Sequence, residues 1–142
     1  MQYTIQKFIP LLARIFLSAI FIKAGIDKIL DPAGTVDTMT GKGIPLAGIL
    51  LIPTIIVLIA GGLSVLLGFK ARYGALALIG FLIPATLIFH TDFSNPFQEI
   101  MFLKNLGLMG GLLMIYAYGA GSFSIDEGQN PPDTKNYNPR IG

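Results

Sequence analysis

The chain has 142 residues, of which 53% are hydrophobic and only 13% charged, with a formal net charge of +2. Soluble domains carry roughly 25% charged residues, so this chain has too few charges to cover a water-facing surface and is expected in a membrane. Its scattered basic residues exclude nucleic acid as a partner, and the absence of cysteine excludes zinc–thiolate sites and iron–sulfur clusters.

Four apolar segments follow one another, at about residues 8–30, 44–69, 73–90 and 100–118. Each is close to the roughly 20 residues that a helix needs to cross a bilayer. They do not alternate in polarity as the strands of a membrane β-barrel do. The alternative is a soluble four-helix bundle, but its helices need a polar face, and the second segment carries no charge. The sequence therefore predicts an all-α, polytopic membrane four-helix bundle.

The first segment contains two charged residues, Arg14 and Lys23. Charges inside a membrane cost free energy unless they are paired or hydrated, so both are candidate functional residues. Lys23 stands four residues before Asp27, a spacing that equally favours a simple ion pair. Arg14 has no obvious partner, because the second segment offers no acidic residue.

The connections between the segments carry local signals. Asp31 followed by Pro32 is typical of a helix N-cap, which predicts a short helix before the second segment. Small residues four apart, as at Gly107 and Gly111, predict close helix packing. After Tyr118 the chain is rich in Gly, Pro and Asn, which predicts a polar, mostly irregular tail over residues 119–142.

Loop charges predict the orientation. One side of the membrane holds five basic residues and the other two, namely Lys7, Lys70, Arg72, Lys135 and Arg140 against Lys28 and Lys42. Since cytoplasmic loops carry the excess of Lys and Arg, both termini are expected in the cytoplasm, in a bacterial-type inner or plasma membrane.

Polar residues from distant parts of the sequence are expected at one depth, near the outer interface. They are Lys28, His90, Lys104 and Asn105. Such a layer can hold a quinone, whose carbonyls accept hydrogen bonds, or a phospholipid head group. The alternatives are that the lysines extend toward lipid phosphates and that Asn105 joins two helices. Because one histidine cannot supply a haem or metal ligand set, we predict no intrinsic cofactor, no metal and no catalytic residue.

Several segments, taken in order, resemble the DoxX family of small four-helix integral membrane proteins. In residues 13–32 the match includes Arg14, Gly25, Lys28 and Pro32. The other matching segments are GIP (43–45), AGGLSVLLGFKAR (60–72), ATLIFH (85–90), FLKNLGLMGGLLM (102–114) and GSFSID (121–126). The resemblance covers about residues 12–126.

The resemblance implies a function, since the family is named after the membrane subunit of a thiosulfate:quinone oxidoreductase. We expect a quinone-linked or redox-associated membrane subunit with a head-group pocket near His90 and Lys104, working with a redox partner protein or a larger membrane complex. Many family members carry a glutamate in the second helix, and this chain has no acid over residues 51–69. If that glutamate pairs with the arginine or handles protons in relatives, this chain has lost that function or borrows an acid from a partner.

Two other functions remain open at this stage. One is a non-catalytic subunit that binds membrane lipid or has a structural role in a larger complex, including a homo-oligomer. The other is a small transporter, which requires a water-filled path past Arg14.

Overall fold

The computed structural model describes residues 2–129. Within that range the chain forms six helices and no strand: α1 (Gln2–Leu30), α2 (Pro32–Gly41), α3 (Ala47–Leu67), α4 (Ala71–Phe89), α5 (Pro96–Tyr118) and α6 (Ile125–Gln129). Residues 130–142 of the expected tail, with Lys135 and Arg140, lie outside the described residues.

Four of these helices, α1, α3, α4 and α5, are long and apolar enough to cross a membrane. Their outer faces present large apolar side chains, such as Phe16 and Leu87, which are 73% and 60% exposed. So much exposed apolar surface is unfavourable in water and favourable against lipid acyl chains. The predicted all-α membrane bundle is confirmed.

The helix bounds differ from those of the apolar segments where polar residues begin a helix. Asn95 caps α5, because its side-chain oxygen accepts the N–H of Phe97 at 3.0 Å, and Pro96 occupies the first helical position. The polar first turn of α5 therefore precedes residue 100, where the apolar run begins. Asp31 caps α2 in the same way, accepting the N–H of Gly34 at 3.0 Å.

The spanning helices pack in a row, α1 on α3, α3 on α4 and α4 on α5. Glycine allows the closest of these approaches. A Cβ on Gly61 of α3 would lie 3.4 Å from the carbonyl oxygen of Gly74 on α4, and one on Gly74 would overlap Ser64. On α5, a Cβ on Gly111 would touch Leu17 of α1, whereas one on Gly107 would meet nothing. Of the two glycines expected to pack closely, Gly111 is the one at a helix contact.

The row has two distinct ends. The α2 end carries α2 and the α4–α5 connection. The strap end carries the α3–α4 turn and residues 119–129, which fold back along that turn and which we call the strap. Since the four spans alternate in direction, Lys28, His90 and Lys104 all lie toward the α2 end, as the sequence predicted, and Arg14 lies toward the strap end.

Candidate functional site

A cavity of about 1400 Å³ occupies the α2 end of the bundle, between α1, α2, α3, α4 and α5. Its walls are mainly apolar, with Phe21, Leu58 and Leu108 among them. The charged and amide groups that line it are Asp27, Lys28, Asp31, His90, Lys104 and Asn105. All four residues that the sequence proposed for a head-group site are therefore brought to one cavity.

His90 ends α4 and is partly buried. Its backbone N–H donates to the carbonyl of Thr86 at 3.0 Å, and its ring Nδ1 lies 2.9 Å from Oε1 of Gln98. With that oxygen as acceptor, Nδ1 carries the proton, and Nε2 of the neutral ring is left as an acceptor. Gln98 thus fixes the ring, although nothing in its sequence context marks it as a partner of His90.

The side chain of Asn105, which also lines the cavity, is buried, since this residue is only 6% exposed. Its Nδ2 donates to Oγ1 of Thr86 at 3.0 Å, so it also joins α5 to α4. Thr86 is itself buried and was not among the residues that the sequence predicted for the site. A lone threonine in an apolar helix commonly bonds the backbone of its own helix, so no sequence pattern indicates this contact.

The lysines differ in their surroundings. Lys104 is exposed, with Nζ 3.6 Å from Sδ of Met101, and Lys28 is partly buried. Lys23 pairs with Asp27 at 2.7 Å, and both side chains are mostly exposed. Exposed pairs of this kind contribute little to stability. Lys23 is not among the residues that line the cavity.

Arg14 lies outside the cavity and is 1% exposed. Its Nη1 donates to the carbonyl of Leu66 at 2.8 Å and approaches that of Val65 at 3.5 Å, in the last turn of α3. Its Nη2 donates to the carbonyls of Ser122 and Phe123, at 3.0 and 2.8 Å. The last carbonyls of a helix lack partners within the helix, so Arg14 caps α3 and ties it to the strap.

The strap is held by three further hydrogen bonds and one ring contact. The carboxylate of Asp126 accepts the N–H groups of Lys70 and Ala71, at 2.7 and 3.0 Å, at the start of α4. The N–H of Asp126 donates to the carbonyl of Gly68 at 2.8 Å. The ring of Phe123 stacks on Phe8 of α1, with centroids 4.9 Å apart.

The strap also places acidic groups near Arg14. The carboxylates of Asp126 and Glu127 attract the guanidinium electrostatically. These acids belong to the same chain, beyond its last spanning helix, and that a partner also supplies an acid stays a prediction. The motif GSFSID, which includes Asp126, was the available signal.

Comparison with known proteins agrees with this architecture. The family model of DoxX matches residues 9–91. The chain is 40% identical over 116 residues to the inner membrane protein YqjF of Escherichia coli, covering 82% of this chain and 88% of that one. The chain belongs to the DoxX family. The four spanning helices and this membership together establish a DoxX-type integral membrane protein.

This DoxX protein is also similar to two further proteins. The inner membrane protein YphA of Escherichia coli is 30% identical over 122 residues, covering 82% of this chain and 86% of that one. The Surfeit locus protein 4 homolog of Schizosaccharomyces pombe is 36% identical over 70 residues, 44% of this chain and 23% of that one. No solved structure shows a significant match to the chain. The DoxX match includes Arg14, Lys28 and His90, while Lys104 and Asn105 lie beyond it.

Proposed function

We propose that this DoxX protein is a redox-associated membrane subunit that binds the head group of a quinone in the cavity at the α2 end. The observation that carries the proposal is one cavity with apolar walls and a cluster of hydrogen-bonding groups from three helices, Lys28, His90, Lys104 and Asn105. Ligand sites commonly combine an apolar lining with a few convergent polar groups.

The charges of the cavity favour a neutral head group. Two lysines, Lys28 and Lys104, face two acids, Asp27 and Asp31, among the residues that line it. The formal charges of these four side chains sum to zero, or to only +1 when Lys23, the ion-pair partner of Asp27, is added, which gives little net attraction for an anionic phosphate. A quinone carbonyl needs only hydrogen-bond donors, and Lys104 and Asn105 supply them.

The chemistry in this proposal is divided between this chain and a partner. Reducing a quinone to a quinol takes two electrons and two protons. The chain has no cysteine, so a partner protein or larger membrane complex with its own redox group donates the electrons. His90 brings the one imidazole among the residues that line the cavity, the side chain that most often serves in general acid–base catalysis, and we assign proton transfer to the ligand to it.

The test is equilibrium binding of a quinone to the purified protein in quinone-free nanodiscs. We expect His90→Ala and Lys104→Met each to weaken binding about tenfold, the loss of roughly one hydrogen bond to a charged or polar partner. The matched control is Lys23→Met, which removes an exposed lysine near the same end of the bundle that does not line the cavity. Binding that is unchanged in both cavity variants contradicts the proposal.

The second candidate is a non-catalytic subunit that binds lipid or has a structural role. It is favoured by the exposure of Lys104 and by the Asn105–Thr86 bond, which stabilises the helix pair without any ligand. It predicts that both cavity variants bind quinone like the unaltered protein and differ in the lipids or proteins that co-purify after mild detergent extraction. A transporter is disfavoured, because the cavity does not reach Arg14, which is buried at the strap end.

A further inference from the structure

The two outer helices of the row, α1 and α5, meet only narrowly, although the other neighbouring spans pack extensively. Their contact includes Leu17 and Gly111, where a Cβ on the glycine would lie 3.5 Å from Leu17 Cδ2. Ala24 and Lys104 lie seven residues from these contact residues in the direction of the α2 end, on the same helix faces, and both line the cavity. Beyond the Leu17 contact, toward the α2 end, residues of both helices that face the α1–α5 seam therefore line the cavity.

The end of the cavity nearest the membrane surface is covered by α2. Thr35, Thr38 and Met39 of that helix line the cavity, and Met39 is buried against Ala47 and Leu51 of the bundle. The cap that Asp31 places on α2 fixes the start of this cover. The cavity is thus covered by α2 on the side of the aqueous phase, and on the side of the lipid it is bounded by the α1–α5 seam, where the two helices make few contacts.

The polar and apolar parts of the cavity lie at different depths. Lys104 and His90 are near the α2 end, whereas Leu108 lies one helical turn, about 6 Å, further into the membrane on α5. Phe21 lies seven residues, about 10 Å, below Lys28 on α1. If a head group is held at the α2 end, the hydrocarbon tail attached to it extends deeper into the membrane, along the apolar residues of the seam.

We propose that the α1–α5 seam is a lateral portal. Through it, a ligand with a neutral head group and one long isoprenoid tail enters the cavity from the lipid, and its tail stays in the seam. The inference rests on the quinone site proposed above and adds the route and the ligand class. The tail then becomes part of what the site recognises, because its carbons gain van der Waals contacts with the side chains of the seam.

The test narrows the portal without touching the head-group residues. Ala24→Trp places a bulky ring in the seam, and Ile26→Trp, on the lipid-facing side of the same helix and outside the cavity, is the matched control. Ala24→Phe, with a smaller ring at the same position, serves if the first variant fails to fold. Binding of an isoprenoid quinone and of a tail-less short quinone is measured in nanodiscs for each protein.

We expect the portal variants to weaken isoprenoid quinone binding about tenfold and to leave tail-less quinone binding within about twofold. The control should bind both quinones like the unaltered protein. Equal losses for both quinones, or no loss for either, overturn the portal and leave the quinone site standing. If the unaltered protein binds neither quinone, the proposed function itself fails, and the portal with it.

Discussion

At the scale of single residues, Arg14 shows how a buried charge is accommodated in a membrane protein. Its guanidinium group donates hydrogen bonds to a carbonyl at the end of α3 and to two carbonyls of the strap. Gly68 makes room for it, since a Cβ there would lie 2.8 Å from Nη1, and its φ of +67° also suits glycine. The sequence marked Arg14 as unusual but did not show its partners, because backbone carbonyls carry no residue signature.

Replacing Arg14 should therefore destabilise the protein. We expect Arg14→Met to lower the free energy of unfolding by about 3 kcal/mol, since several buried carbonyls lose their donor. Arg14→Lys should cost less, because an ammonium keeps the charge but cannot reach α3 and the strap together. Thermal unfolding in detergent measures both, with the exposed Arg72→Met as control. A loss for Arg14→Met no larger than that for Arg72→Met contradicts this role.

At the cavity of the α2 end, the sequence predicted Lys28, His90, Lys104 and Asn105 at one depth, and all four line that cavity. Depth follows from helix counting, so it was predictable. The contacts with Gln98 and Thr86 were not, because they depend on how α4 and α5 are rotated about their axes.

At the scale of elements, the strap is the part that local sequence described least well. Its composition predicted an irregular tail, and the described portion contains α6, with only five residues. A helix that short is not stable alone. It is held by the bonds of Asp126 to the α3–α4 turn and by the stacking of Phe123 on Phe8.

The carboxylate of Asp126 should be the main anchor of the strap. Asp126→Ala leaves the N–H groups of Lys70 and Ala71 without this acceptor and should cost about 1–2 kcal/mol, as the loss of a helix cap does. Asp126→Asn keeps one oxygen and should cost less. Amide hydrogen exchange at residues 70 and 71 measures the effect directly. Asp37→Ala, at an exposed position of α2, is the control, and exchange at 70 and 71 that does not change in Asp126→Ala contradicts the anchoring role.

At the scale of the whole molecule, the orientation in the membrane remains a prediction from loop charge. The chain has no cysteine, so single cysteines can be introduced without background. In intact cells, a membrane-impermeant maleimide should label Lys42→Cys, on the α2 end. It should label Arg72→Cys, on the strap end, only after the membrane is opened, because the positive-inside rule places that end in the cytoplasm. The reverse pattern inverts the orientation and places the cavity on the cytoplasmic side.

The sequence by itself determined the solvent, the number of spanning helices and the depth of the polar residues, because hydropathy and helix length depend on local composition. Only the tertiary structure decided which helices are neighbours, that α1 and α5 barely meet, and that the strap returns to Arg14. Those features depend on helix rotation and on contacts between residues as much as 109 positions apart. In a membrane, the helix faces that contact lipid and those that contact other helices are both mostly apolar, so hydropathy alone does not predict which face lies inside the bundle.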